Sequence, residues 1–200
     1  MIHGGHAFDK HEDFLRRLRD KKVTADDFKI KNGWKENMQS DLGAQFEVFN
    51  PRMPNGQNAY YVEWKIWFEK LTSFLDDSVI LIGHSLGGLF LIRYLSENIF
   101  PKNIKALFIV AAPYEGKNNK HIHNENFIFN KSLEKVQSQA KVMFMYHSKD
   151  DPIVPFSDFE KFQQKLPNAI FLPFETEGHF NKIEVPGLVE KIRELHKSYT

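Results

Sequence analysis

The chain contains no cysteine. Disulfides, thiolate metal sites and cysteine nucleophiles are excluded with it. It also has almost no net charge, since 27 Lys and Arg against 26 Asp and Glu leave +1. Nucleic-acid binders usually show a clear basic excess, so no nucleic-acid partner is expected. No apolar run approaches the roughly 20 residues of a membrane helix, so no membrane partner is expected either. The start, Met1-Ile2-His3-Gly4-Gly5, lacks the basic-then-apolar order of a secretory signal. A cytoplasmic location agrees with these absences. Internal repeats, low-complexity tracts and Gly/Ser linkers are missing as well. What is present is 200 residues, 42% hydrophobic, with 19 Phe. That is globular composition, read as a single domain over residues 1–200 with a substantial core.

Short apolar runs alternate with longer amphipathic stretches. Residues 46–49 (FEVF), 79–82 (VILI), 104–112 (IKALFIVAA), 141–146 (KVMFMY) and 169–172 (AIFL) read as strands. Most are apolar on both faces, as parallel strands covered by helices are. Helical patterns cover 9–21, 58–75, 86–98, 132–140, 157–166 and 188–197. Within the second of these, Trp64 and Trp67 read as core, because spacings of three and four residues make one buried helix face. The alternation predicts an α/β fold with a mostly parallel central sheet and helices on both faces.

The most informative stretch is Gly83-His84-Ser85-Leu86-Gly87. It matches G-x-S-x-G directly after an apolar run and directly before a helical pattern. In that context the serine sits on a strained strand-to-helix turn with its Oγ exposed at the carboxyl end of the sheet. Gly83 and Gly87 are small where neighbouring chains crowd the turn. The following helix aims its first amides at the place where negative charge develops. His84 points away from the Oγ and is given a structural role.

A serine nucleophile needs a base, and the base needs an orienting carboxylate, in the chain order Ser, acid, His. The run 141–146 leads into His147-Ser148-Lys149-Asp150-Asp151-Pro152, and the run 169–172 leads toward Gly178-His179-Phe180. His179 follows glycine in the loop after the last strand and is the candidate base. Asp151, immediately before Pro152, is favoured as the acid, with Asp150 the alternative. His3, His6, His11, His121, His123, His147 and His196 read as loop or surface residues. His121 and His123 form a weak metal-binding pattern without a third ligand at a recognisable spacing, so no metal and no other cofactor is expected. For the oxyanion, one donor is the Leu86 amide. The other is the Gly5 amide, in the His3-Gly4-Gly5-His6 turn, with a plain glycine turn as the alternative. A strand is expected before that turn, yet only Met1-Ile2 stands there, which suggests a chain beginning inside a strand.

These pieces together resemble a known family. The HGG turn, Arg52-Met53-Pro54, Gly83-His84-Ser85-x-Gly87, Ser148-Lys149-Asp150-Asp151-Pro152 and Gly178-His179-Phe180 resemble the small serine hydrolases related to retinoblastoma-binding protein nine and bacterial YdeN. The resemblance implies an α/β-hydrolase fold and a Ser85, Asp151, His179 triad. The missing first strand and His147, where the family more often has glycine, depart from it. Residues 113–140 are too few and too polar for a large apolar cap, so no large lid is expected. Phe127, Ile128 and Phe129 read as packing under that loop rather than as an acyl pocket. The expected activity is hydrolysis of small carboxylic esters through an acyl-enzyme. A thioesterase, an amidase or a protein-interaction module on the same scaffold are the alternatives. The expected partner is a small ester or thioester, and no sequence feature indicates a protein partner.

Overall fold

The computed structural model describes residues 1–29, 32–114, 122–123, 125–129 and 132–197. Its elements run β1 (Ala7–Phe8), α1 (His11–Asp20), α2 (Trp34–Leu42), α3 (Tyr61–Leu71), β2 (Ser78–His84), α4 (Leu86–Glu97), β3 (Asn103–Val110), β4 (Ile122–His123), α5 (Glu134–Gln139), β5 (Met143–Ser148), α6 (Phe156–Lys165), β6 (Ile170–Phe174) and α7 (Leu188–Lys197). The main sheet has the order β2-β3-β5-β6. Every pair in it is parallel, with Gly83 opposite Ile109, Val110 opposite Tyr146 and Ser148 opposite Phe174. All four carboxyl ends therefore lie on one side, where the three loops that matter emerge.

Two layers of helix cover this sheet because its strands are apolar on both faces. Side chains along a strand alternate between faces. On β3, Leu107 and Ile109 join a core with Trp64, Phe68 and Phe90. Ala106, Phe108 and Val110 join a second core with Trp34, Met38 and Ile192. The expected α/β architecture with a parallel sheet is thus what the chain adopts. Helix α4 is buried along most of its length and carries the central turn.

Several expectations need correction. Residues 46–49 are not a strand. Their backbone is bound by a side chain instead: Gln39 Nε2 donates to the Phe46 carbonyl at 2.9 Å, and Val48 N donates to Gln39 Oε1 at 2.9 Å. A ladder needs an adjacent strand, and between this segment and β2 only Ile2 forms a bridge, to Gly83. Helix α2 was not foreseen. Trp34, Met38 and Leu42 form its buried stripe, while Glu36 Oε2 accepts the Gly33 N–H at 2.9 Å at its start and Gly43, with φ 88°, ends it. Trp64 is buried as expected, but Trp67 is 46% exposed, because the face of α3 against the core runs through Tyr61, Trp64 and Phe68. Phe127 is fully buried, packed against Trp64 with ring centroids 5.5 Å apart.

Candidate active site

The turn between β2 and α4 is built by crowding. Ser85 has φ 54° and ψ −123°, a left-handed conformation that costs a non-glycine residue energy and persists only where its surroundings hold it. Its N–H donates to the Val110 carbonyl at 2.8 Å, and its carbonyl accepts from Gly88 N at 3.0 Å and Leu89 N at 3.2 Å. A Cβ on Gly87 would collide with the carbonyl oxygens of Ile2 and His3, and one on Gly83 would lie 2.7 Å from Gly87 O and Gly88 Cα. Leu86 opens α4, so its backbone N–H has no carbonyl within the helix to bind.

The loop after β5 presents Asp151 with its two carboxylate oxygens in different uses. Oδ1 accepts the N–H groups of Ile153 at 2.8 Å and Val154 at 3.0 Å. Oδ2 lies 2.8 Å from His179 Nδ1. The Asp151 side chain is fully buried and that of His179 nearly so. A carboxylate can only accept, so the imidazole carries its proton on Nδ1 and leaves the Nε2 lone pair available. Asp150 is used otherwise. Its Oδ1 accepts Ser148 Oγ at 2.5 Å and Gly178 N at 2.8 Å. The Ser148 hydroxyl, foremost, and the Gly178 N–H hold the Asp150 carboxyl below the usual carboxylate range. Ser148 Oγ in turn accepts the Glu177 N–H at 2.9 Å.

The loop carrying His179 contains two left-handed residues, Gly178 with φ 56° and Phe180 with φ 52°. Its carbonyls are held from a distance. His84 Nε2 donates to His179 O at 2.9 Å, Trp34 Nε1 to Phe180 O at 2.9 Å, and Trp34 N to Lys182 O at 3.2 Å. His84, beside the serine in sequence, therefore sets the Ser85 turn against the His179 loop.

One histidine expected in a loop or at the surface lies elsewhere. His147 is buried at the end of β5, because that strand extends to Ser148. It donates from Nε2 to Val154 O at 3.0 Å and lies 3.8 Å from Asp151 Oδ2, and burial pushes its pKa down. His3 is partly buried and bridges two loops, donating from Nδ1 to Gly4 O at 2.5 Å and accepting Met53 N on Nε2 at 2.8 Å. The turn after it is pinned by His6 N to Gly56 O at 2.9 Å. A Cβ on Gly4 would stand 3.0 Å from Ser85 Cβ, and one on Gly5 only 2.6 Å from Gly56 O. Glycine is thus required at position 5, where the turn meets the Gly56 carbonyl, and a side chain at position 4 would press on Ser85. The His121 and His123 pattern lies outside the residues whose side chains are described. A cavity of about 280 Å³ lies under the sheet edge between Phe46, Phe49 and Val79. It includes none of Ser85, Asp151 and His179, which stand at the carboxyl ends of the strands.

A parallel sheet covered by helices, with a strained serine turn and a buried Asp–His pair at the strand ends, defines an α/β hydrolase. The chain belongs to the serine hydrolase family, whose model matches residues 29–195. It is similar to serine hydrolase RBBP9 of Rattus norvegicus, 22% identical over 151 residues that cover 75% of this chain and 78% of that protein. It is also similar to putative hydrolase YdeN of Bacillus subtilis, 25% identical over 138 residues covering 69% and 71%. The crystal structure of the ydeN gene product from B. subtilis superposes with a TM-score of 0.70 at 19% identity, covering 98% of this chain and 96% of that one. This is the family its sequence motifs resemble. No helix among the described residues is long and apolar enough to cross a membrane.

Proposed function

We propose that the protein hydrolyses small carboxylic esters through an acyl-enzyme, with Ser85 as nucleophile, His179 as general base and Asp151 as the orienting carboxylate. The observation that carries this reading is the buried 2.8 Å contact from His179 Nδ1 to Asp151 Oδ2, made by the loop that His84 ties to the Ser85 turn. With Nδ1 committed, His179 Nε2 takes the proton from Ser85 Oγ as the oxygen attacks the ester carbonyl. The tetrahedral oxyanion rests between the N–H groups of Leu86 and Gly5, fixed donors that need no reorientation as charge develops. His179 then protonates the leaving alcohol, and water activated by the same imidazole releases the acid. No cofactor enters these steps. The partner proposed is a small ester or thioester, and the location proposed is cytoplasmic.

Purified protein should turn over p-nitrophenyl acetate and butyrate, and Ser85→Ala should lower kcat by about a million-fold, the loss typical of removing an activated serine. Equal hydrolysis by both proteins would overturn the assignment.

A further inference from the structure

His84 does more than pack beneath the serine turn. It is 3% exposed, and both ring nitrogens have partners. Nε2 is 2.9 Å from the carbonyl oxygen of His179, and Nδ1 is 3.4 Å from Lys35 Nζ. Lys35, in the first turn of α2, lies over the Trp34 ring at 5.1 Å from its centroid, and Trp34 meets His84 edge-on at 5.8 Å. The His84 and His179 rings are 4.9 Å apart.

We propose that Lys35 and His84 form a positioning relay for the base, in which the Lys35 ammonium fixes the Nε2–H tautomer of His84 and that N–H holds the main chain of His179. The proposal rests on His179 acting as the base. The donor and acceptor inventory dictates the direction. A carbonyl oxygen only accepts and an ammonium only donates, so a neutral imidazole between them satisfies both when its proton is on Nε2. The other tautomer would set a lone pair against the carbonyl and an N–H against the ammonium. A protonated ring would also face the ammonium with an N–H. Burial, first, and then the Lys35, His179 and His3 charges push His84 well below the ordinary histidine range, against the opposing pull of its hydrogen bond to the His179 carbonyl. Lys35 is itself pushed down by burial and opposed by Glu36. His84 thus stays neutral beside an imidazole that becomes cationic during acyl transfer. Because Trp34 holds the next carbonyl, Phe180 O, the first turn of α2 both clamps the base loop and sets the tautomer of the residue that helps clamp it.

Four full-length variants test this: His84→Leu, His84→Gln, Lys35→Met and Lys35→Arg. Active sites are counted by fluorophosphonate titration, and kcat and KM are measured on p-nitrophenyl acetate. Misplacing a catalytic group by about 1 Å costs on the order of 100-fold. His84→Leu is expected to lower kcat per titrated site by about that factor with KM little changed, and His84→Gln, whose amide can donate to the same carbonyl, to recover at least about tenfold of it. Lys35→Met should cost about tenfold and Lys35→Arg restore it. In the wild type, ¹H–¹⁵N correlation spectra of His84 should show Nε2 protonated, and Lys35→Met should raise the share of the Nδ1–H form above that of the wild type. Wild-type kcat per site in both His84→Leu and Lys35→Met, or a single unchanged tautomer in Lys35→Met, would overturn the relay. The tautomer reading needs no turnover, so it separates this proposal from the ester-hydrolase reading. Undiminished activity in His179→Ala would sink that reading, and the relay's catalytic part with it, while leaving the spectra to report on the contacts themselves.

Discussion

The turn that holds Ser85 and the loop that holds His179 reach their positions by opposite means. The serine turn is largely local. Gly83, Gly87 and Gly88 lie within three residues of Ser85 and shape it by close approach, and a neighbouring strand supplies Val110 O. The His179 loop is held by groups far away in the chain. Asp150 and Asp151 reach it across 28 residues, His84 across 95 and Trp34 across 146. The Ser85 geometry thus starts from glycines beside it in sequence and is closed by the strand and the N-terminal turn they pack against, whereas the His179 geometry rests almost wholly on groups distant in the chain. Damage far from both should reach His179 before it reaches Ser85.

Three perturbations sharpen or break this contrast. The largest is Gly87→Val, which drives a side chain into the carbonyl oxygens of Ile2 and His3. It should cost more than the roughly 1–3 kcal/mol of ordinary overpacking, because backbone rather than a mobile side chain must give way. Soluble yield and thermal midpoint check it, and a midpoint equal to the wild type's would show that the turn does not depend on that approach. The next is Trp34→Phe, which keeps most of the volume and leaves the Phe180 carbonyl without its donor. The expected loss is about 1–3 kcal/mol in urea unfolding, the cost of one buried unsatisfied group. It should come with reduced kcat, since the change acts on the base loop; loss of stability with kcat intact would break the proposed dependence.

The smallest effect is acid sensitivity. Burial pushes His3, His84 and His147 below the ordinary histidine value. Between those lowered values and the unfolded value of about 6.5, the unfolded chain binds more protons, so stability rises with pH there. The stabilisation is complete above about pH 6.5 and falls as pH drops below it. The urea midpoint should therefore fall between about pH 7 and pH 5 in the wild type and fall less in His84→Gln, as the linkage relation requires. A flat profile in the wild type would contradict the buried neutral imidazoles.

The same contrast explains what was legible in the sequence. The sheet was readable because its strands are continuous apolar runs, and the serine turn because its glycines sit beside it. The class of fold and the Asp-Asp-Pro and Gly-His-Phe loops followed from chain order. What escaped was non-local. Helix α2 has only Trp34, Met38 and Leu42 as its apolar stripe. Their spacing of four residues, with Glu36 near the start and glycine just past the end, was the signal available for it. The partners of His84 and His147 depend on which loops meet above the sheet, which neighbours in sequence do not reveal. Trp67 was misplaced because helical spacing admits more than one stripe on an apolar helix, and tertiary packing selects among them. Residues 46–49 have a strand pattern, but a strand exists only with a partner to pair with.

The most direct test of the central claim is covalent labelling by a fluorophosphonate, with the modified residue located by mass spectrometry in the wild type, Ser85→Ala and His179→Ala. A single adduct on Ser85, absent from Ser85→Ala and slowed severely in His179→Ala, is the predicted result. An adduct elsewhere, or one that forms on Ser85 at the wild-type rate in His179→Ala, would contradict the assignment of nucleophile and base.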